Sequence, residues 1–194
     1  MIDITKFKFI KKKYGYCGSW AIWAEEGEFP SSNQDDLTIL DPKINNNLLS
    51  QLNPNVVFVA LNLSSQKLST PFSNFHSSKP LSKDYKIRFA LRNTSFHGGY
   101  MTDIIKDLVK KDSREVVKYL KGNPNIEEKN IIAFRKELED IGSNNPKIIA
   151  FGVDAYRILR RHLKHEYNIL YMDILLKLKL LVLLHLNHIN DCLF

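Results

Sequence analysis

Apolar positions along the chain fall into short uninterrupted runs, separated by segments with helical spacing. The first run, residues 56–61, is rich in β-branched and aromatic side chains and shows no apolar/polar alternation. Such a run is too short for an ordinary helix and predicts a strand that is buried on both faces. Residues 147–151 and 178–184 predict two further central strands in the same way, and residues 100–105 predict a short additional strand.

The segments between these strands carry the end signals of helices. Asp41 and Ser82 suit helix starts, and Gly142 suits the end of the strongest helix, which Asn125 is predicted to cap. The predicted helices cover residues 41–52, 82–93, 113–121, 125–141 and about 153–164. Strands that alternate with helices predict one α/β domain over residues 1–194, with three α/β/α layers and a mainly parallel sheet of about four strands.

The first 40 residues are predicted to form a peripheral N-terminal appendage to this domain. Tyr16, Trp20 and Ile22 have the spacing of one face of a strand, which favours a hairpin here. Trp20 and Trp23 have two interpretations. They can form a stacking surface for bases, or they can pack the appendage onto the main domain, as Trp side chains commonly do.

Composition and charge narrow the choice of partner and compartment. The 194 residues are 44% hydrophobic and 25% charged, which is typical of a globular domain. The net charge of +7 favours an anionic partner such as nucleic acid, although a generally basic cytosolic protein carries the same charge. Cys17 and Cys192 lack metal-ligand spacing, which predicts reduced thiols and a cytoplasmic location. Charged residues interrupt the leucine-rich C-terminal stretch, so no membrane span is predicted.

Polar side chains follow both the first and the last predicted central strand. The carboxyl ends of parallel strands meet at one edge of a sheet, where open α/β sheets bind ligands. The chain has no nucleotide-binding glycine motif and no nucleophile elbow. His185 and His188 are three residues apart but lack a third ligand nearby, so no metal site is predicted. No cofactor is predicted either. The candidate residues at this edge are Asn62, Ser64, Ser65, His185, Asn187 and His188.

A group of cations recurs at helical spacing near the end of the predicted helix 153–164. Arg157, Arg160, Arg161 and Lys164 share the side opposite to its apolar residues. Such a ridge can contact the phosphates of a nucleic acid, or it can be an ordinary solvated face.

Several segments match a known set of motifs in order. Residues 57–63 read VFVALNL, where the motif is a buried strand ending in G-[IL]-N-P-G. This succession resembles the uracil-DNA glycosylase superfamily, especially its mismatch-specific branch. Leu63 and Ala60 stand where that family has Pro and Gly, and the family's closing Pro-Ser pair is missing. The further matching segments are Pro71-Phe72, Arg88-Phe89, residues 100–106, residues 147–156 and residues 180–190.

The resemblance implies a role for each candidate residue. Asn62 would hold the attacking water, Phe72 would stack on the extruded base, and Asn74 would read the hydrogen-bonding edge of the base. A strand-end cap remains the alternative for Asn62, and core packing the alternative for Phe72. The groups expected near the leaving base are His188, or His185 in its place, and Asn187, and the groups expected to contact DNA are Ser64, Ser65, Arg157 and Arg160.

Three functions remain open at this point. The first is a DNA glycosylase that removes uracil or a damaged base, since cleavage of an N-glycosidic bond needs a stacking slot, donors aimed at the base and a placed water. The second is a non-catalytic nucleic-acid or nucleotide-binding protein of the same fold, and the third is an enzyme acting on free nucleosides. The partner expected from the first two is DNA, and a monomer is favoured.

Overall fold

A computed structural model describes residues 2–24, 36–64, 70–77 and 84–173 of the chain. These residues form an α/β fold around a five-stranded, mostly parallel sheet. The strands are β1 (Ser19–Trp20), β2 (Asn53–Asn62), β3 (Gly99–Ile105), β4 (Lys147–Phe151) and β5 (Asn168–Met172). The helices are α1 (Ile4–Tyr14), α2 (Leu48–Gln51), α3 (Asp84–Leu91), α4 (Ser113–Gly122), α5 (Pro124–Ile141) and α6 (Val153–Leu163).

The strand order is β1-β3-β2-β4-β5, with β2 at the centre. β2 pairs in parallel with β3 and β4, β4 pairs in parallel with β5, and β1 pairs antiparallel to β3 at the edge. The three strands predicted around residues 56–61, 100–105 and 147–151 are confirmed. The sheet has five strands instead of about four, because β5 was not predicted and because β1, from the segment expected to form a peripheral hairpin, joins the sheet. The strand predicted at residues 178–184 lies outside the described residues.

The absence of alternation in β2 follows from burial on both of its faces. Val57 and Val59 join one cluster of buried side chains, whereas Val56 and Phe58 join another. Successive side chains of a strand point to opposite faces of a sheet, so the two clusters mark its two faces. We call them the first face, which holds Val57, and the second face, which holds Phe58. Buried residues of α1, α4, α5 and α6 belong to the first face, and those of α3 to the second.

The strand expected around Tyr16, Trp20 and Ile22 is present as β1, but it pairs with β3 instead of forming a local hairpin, and residues 4–14 form helix α1. The Asp3 side chain caps this helix by accepting from the backbone N–H of Lys6 at 2.8 Å. Phe7 and Ile10 reach the first face, although the lysines between them hide the helical period in the sequence. Trp20 is fully buried there as well, which confirms packing for this residue in place of an exposed stacking surface.

Two other helix predictions needed correction. The segment predicted as a helix over residues 41–52 contains only the short α2, and Ile44 is exposed. The side chains of Asp41 and Asn45 each accept a hydrogen bond from the backbone N–H group two residues later in the chain. Such bonds favour turns over a continuous helix. α5 begins at Pro124, so Asn125 lies inside the helix and does not cap it. Its predicted end is confirmed, since Gly142 has a φ of 76° in the left-handed region that glycine tolerates.

A buried ion pair connects α5 to β3. The carboxylate of Glu137 lies 2.8 Å from the ammonium nitrogen of Lys106, and both side chains are almost completely buried. Glu137 also accepts hydrogen bonds from the hydroxyls of Tyr100 at 2.7 Å and Thr102 at 2.9 Å. Burial is the largest single influence and lowers the pKa of Lys106, but Glu137, Cys17 and Asp103 together outweigh it, so the pKa is raised. The helix is therefore fixed against the strand by charges that satisfy each other away from water.

We expect Glu137→Ala to lower the free energy of unfolding by about 3–5 kcal/mol, because it removes the carboxylate paired with the buried charge of Lys106. The double variant Glu137→Leu/Lys106→Met should recover much of that loss, since neither charge then remains. Urea unfolding followed by circular dichroism measures both values. The control is Glu139→Ala on the same helix, whose exposed pair with Lys136 should contribute at most about 1 kcal/mol. Equal losses for Glu137→Ala and Glu139→Ala would contradict this account of the core.

Candidate functional site

The order of the parallel strands places a crevice at the carboxyl ends of β2 and β4. From β2 the chain crosses to β3 on one side, and from β3 it returns to β4 on the other side. The helix after β2 packs on the second face, and the helix after β4 packs on the first face. Neighbouring strands whose connections leave in opposite directions open a crevice between them, and ligands of open α/β sheets bind there.

Asn62 lies at this edge, where β2 ends, and its side-chain amide is already engaged. The Nδ2 atom is 2.8 Å from the carbonyl oxygens of Leu63 and Lys110 and 3.3 Å from that of Leu108. An amide nitrogen has two hydrogens, so these carbonyls occupy its donor capacity. Asn62 thus holds the segment after β3 against the end of β2, and its Oδ1 is the atom left to orient a water.

Phe72 packs on the face of the sheet opposite to Ala60 and Phe75. The Phe72 ring is fully buried on the first face, with its centroid 5.6 Å from that of Phe7. These are the contacts of a core side chain, which was the alternative interpretation of Phe72. Ala60 packs on the second face, whereas the Asn62 amide contacts residues 108–110, a segment whose Leu108 packs against the first face. The aromatic residue of the same loop that reaches the second face is Phe75.

Asn74, by contrast, lies beside the parallel pair β2 and β3. Its Nδ2 donates to the carboxylate of Asp103 at 2.8 Å and to the backbone carbonyl of Cys17 at 2.6 Å. Asp103 stands opposite Ala60 in the register of the two strands, and Asn62 stands opposite Ile105. The structure therefore brings Asn62 and Asn74 to the same end of this strand pair, with Asp103 as an additional acidic group.

Asp103 is buried, and burial is the main reason why its pKa rises to about 7. The hydrogen bond from Asn74 and the charge of Lys106 lower the pKa, whereas the charges of Glu137 and Asp84 raise it. A carboxyl group that titrates near neutral pH can donate or accept a proton under physiological conditions. Asp103 is accordingly the residue at this edge best suited to proton transfer.

The loop that carries Asn74 is fixed on both sides of that residue. Phe72 and Phe75 have backbone φ angles of 71° and 65°, which residues other than glycine rarely adopt. The hydroxyl of Ser19 donates to the carbonyl of Phe72 at 2.8 Å, and the indole N–H of Trp23 donates to that of Phe75 at 3.1 Å. Strained backbone of this kind persists only where its surroundings hold it, and it concentrates at functional sites.

The remaining predicted site residues are divided between the surface and the part of the chain outside the described residues. Ser64 is exposed directly after β2. Arg157 and Arg160 are exposed on α6, whose apolar side packs on the first face, so the structure does not bring them together with Asp103. Outside the described residues lie Ser65, His185, Asn187 and His188, and with them the predicted meeting of Asn62 and the histidines.

The cationic ridge of α6 borders two depressions. A cavity of about 670 Å³ lies between α4, α5 and α6, and its wall includes Arg157, Arg161 and the buried Glu127. Glu127 accepts a 2.6 Å hydrogen bond from the His162 ring, so the cavity wall carries both signs of charge. A shallower groove of about 320 Å³ is lined, among the described residues, by Tyr156 and the four cations of the ridge, Arg157, Arg160, Arg161 and Lys164.

Within residues 2–24, 36–64, 70–77 and 84–173, no group of three His, Cys, Asp or Glu side chains is arranged to hold a metal ion. Over the same residues, no helix combines the length and the apolar character needed to cross a membrane. Burial raises the pKa of the Cys17 thiol to about 12, with the charge of Glu137 as the next contribution. This thiol is therefore protonated at neutral pH and unreactive.

Sequence reasoning did not single out Asp103, Lys106 or Glu137. A signal for them was present, because Thr102 and Asp103 interrupt a strand that is otherwise apolar. Glu137 likewise stands on the buried stripe of α5, between Phe134 and Ile141. Charged residues at positions whose spacing predicts burial indicate paired or functional groups.

Comparisons of the chain with models of protein families, with curated proteins and with solved structures found no match. The class of the protein therefore rests on its own fold, an α/β domain with a five-stranded, mostly parallel sheet and a polar edge at the ends of β2 and β3.

We expect the contribution of Asp103 to stability to fall as the pH rises. Its folded pKa of about 7 lies above the ordinary value of 3.8, so the folded state binds its proton more tightly than the unfolded state. The contribution is full below about pH 4, declines up to about pH 7 by as much as about 4 kcal/mol, and is constant above that. Urea unfolding from pH 4 to 8 measures it as the difference between wild type and Asp103→Asn.

The unfolding free energies of the wild type and Asp103→Asn must be subtracted, because His76 changes stability with pH in the opposite direction to Asp103. Burial lowers the pKa of His76 to about 3, so its contribution to stability is lost as the pH falls below about 6.5. This effect is present in both proteins and cancels. A difference between wild type and Asp103→Asn that does not change over this pH range would show that Asp103 is not the titrating group.

Proposed function

We propose that this protein is a divergent DNA glycosylase of the uracil-DNA glycosylase type, hydrolysing the N-glycosidic bond of uracil or a damaged base. The observation that supports the proposal is the contact of Asn74 with Asp103 toward the same end of the β2–β3 pair at which Asn62 closes β2. The glycosylase resemblance assigned the first two to water and to the base. Asp103 adds a proton-accepting group that an Asn-only site lacks.

The chemistry of the reaction fits this set of groups. Bond cleavage leaves a cationic sugar and an anionic base, so the site must stabilise charge on the base and supply a water to the sugar. Asn62 has its Oδ1 left to orient the water, because its Nδ2 bonds to backbone carbonyls. Asp103 in its ionised form can accept a proton from that water, and in its protonated form it can donate to the base.

The proposal includes the three-layer arrangement of a glycosylase domain acting on DNA as a monomer. In support of the layers, α3 contributes buried residues to the second face of the sheet, and α5 and α6 contribute buried residues to the first face. In this arrangement Phe75, on the second face, replaces Phe72 as the aromatic residue nearest to the base. Phe75 lies in an aromatic group with Phe151, their ring centroids being 6.4 Å apart.

Uracil-containing oligonucleotides, single-stranded and paired, test the activity directly through alkali-sensitive strand scission. We expect base release by the wild type and a loss of about 100-fold or more in rate for Asn62→Ala, since a group that acts on the transition state is removed. Asn46→Ala, which changes an exposed amide, is the control. If the wild type releases no base from either substrate, the glycosylase proposal fails.

A second candidate is a non-catalytic nucleic-acid-binding protein, favoured by the ridge on α6. Arg157, Arg160, Arg161 and Lys164 are exposed, and Arg160 stacks over the Tyr156 ring with 5.7 Å to its centroid. Exposed cations beside an aromatic ring are typical of surfaces that follow a nucleic-acid backbone. The engaged amide of Asn62 and the burial of Phe72 also suit a protein that binds without turnover.

The double variant Arg157→Ala/Arg160→Ala is expected to weaken binding to single-stranded DNA. Each phosphate contact that is lost should reduce the slope of log K against log salt by about 0.7, so the double variant should lose about 1 to 1.5. Fluorescence anisotropy between 50 and 200 mM salt measures the slope. Lys8→Ala/Lys12→Ala, which removes the same charge from the exposed side of α1, should leave it nearly unchanged. If the two double variants change the slope equally, the ridge is not a specific binding surface and contributes only through the net charge of the protein.

A further inference from the structure

The cavity between α4, α5 and α6 adjoins the cationic groove of α6, and the two form one joint surface. The cavity wall includes three buried residues, one from each helix: Leu120, Glu127 and Ile158. The exposed Arg157 and Arg161 line the cavity and the groove alike. A ligand in the cavity therefore meets two arginines at its rim and an apolar interior that contains a carboxylate.

Charge is unevenly distributed over this joint surface. The cavity lining contains three Lys or Arg residues and three acidic residues, and one of these acids, Asp154, lies 3.7 Å from the guanidinium of Arg157. The groove adds the cations Arg160 and Lys164 and, among the described residues that line it, no acid. The excess of positive charge thus lies on the groove side of the shared arginines, where it favours an anionic group of a ligand.

The carboxylate of Glu127 has one oxygen engaged and one oxygen left for a ligand. Its Oε1 accepts from the ring Nε2 of His162 at 2.6 Å and lies 3.4 Å from the guanidinium of Arg161. Its Oε2 has no hydrogen-bond partner among the residues that the structure describes, although only 10% of the side chain is exposed. A carboxylate oxygen accepts hydrogen bonds, so the ligand group that meets Oε2 must be a donor.

Three requirements on a ligand follow from these contacts. The cavity volume of about 670 Å³ suits a small molecule. Arg157 and Arg161 are one helical turn apart, and two neighbouring guanidinium groups suit a phosphate. Leu120 and Ile158 suit the faces of a flat ring, and Glu127 requires a hydrogen-bond donor on that ring. A mononucleotide whose base carries an amino group meets all three requirements.

We propose that the cavity between α4, α5 and α6 is a binding site for a mononucleotide with an amino-bearing base, such as AMP. The phosphate lies against Arg157 and Arg161, and the amino group donates to Oε2 of Glu127. The cavity lining includes neither Asn74 nor Asp103, so this site is separate from the edge of the sheet at which base release is proposed. Binding here requires no chemical step and is independent of glycosylase activity.

Three ligands separate the two contributions to binding. AMP carries both the phosphate and the amino group, adenosine lacks only the phosphate, and purine riboside 5′-monophosphate lacks only the amino group. We expect AMP to bind with a Kd below about 1 mM, and each of the other two to bind at least about tenfold more weakly. Isothermal titration calorimetry measures the affinities, and NMR titration of backbone amides locates the binding.

The phosphate contact is tested by two double variants that remove the same charge. Arg157→Ala/Arg161→Ala should weaken the binding of AMP at least about tenfold, because both guanidinium groups at the phosphate are lost. Arg160→Ala/Lys164→Ala is the matched control, since these two residues line the groove and not the cavity. At 150 mM salt it should change the Kd by about twofold or less, because distant exposed charges are screened.

Glu127→Gln tests the contact with the amino group. His162 and Arg161 both donate to Oε1, so the amide oxygen of Gln takes that place and its NH₂ group replaces the acceptor Oε2. This variant should bind AMP and purine riboside 5′-monophosphate with affinities within about twofold of each other. Circular dichroism checks its fold, and the arginine variants, whose truncated side chains are exposed, test the site if Glu127→Gln is unfolded.

The inference is overturned if AMP does not bind at millimolar concentration, if the two double variants weaken binding equally, or if AMP shifts only amides outside α4, α5 and α6. A 5′-phosphorylated oligonucleotide that begins with adenosine is the competing ligand. If it binds at least about tenfold more tightly than AMP and loses this advantage in Arg157→Ala/Arg161→Ala, the cavity holds the terminal nucleotide of a nucleic acid, and the free mononucleotide is overturned as its ligand.

Discussion

The buried pair of Glu137 and Lys106 is the interaction on which the rest of the structure depends. It joins the longest described helix to β3, and its remaining hydrogen bonds go to Tyr100 and Thr102 of the same strand. A buried charge without a partner is strongly destabilising, so α5 has one position against the sheet. The charges thereby fix the strand that carries Asp103, and apolar packing alone would specify that position less narrowly.

The division of the sheet into two faces decides what the candidate site can contain. Alternation along β2 and β3 directs Ala60 and Asp103 to the second face, where Phe75 also packs, whereas Phe72 of the loop packs on the first face. The loop that carries Phe72 and Phe75 has a left-handed φ at each of these residues. Their side chains are three positions apart in the sequence and pack on opposite faces of the sheet. A site built at this edge uses the side chains of one face, whichever ligand it binds.

Local patterns were sufficient for the central strands and for α4, α5 and α6, because burial on both faces and helical spacing are visible in short windows. They were insufficient for α1, where lysines cover the exposed side, for β5, which is too polar to stand out, and for the pairing of β1 with β3. Within the site, the sequence pointed to Asn62 and Asn74. It did not indicate Asp103, since a single acid in an apolar strand acquires meaning only from its neighbours.

The sequence by itself determined that the chain forms an α/β fold in which β2 is a strand buried on both faces, with polar groups at its end. Those features follow from composition and spacing over a few residues. Only the tertiary structure decided which side chains meet: Asn74 with Asp103, Glu137 with Lys106, and Phe72 with the core. The physical reason is that burial, charge pairing and the face of a sheet are properties of segments far apart in the chain, brought together by folding.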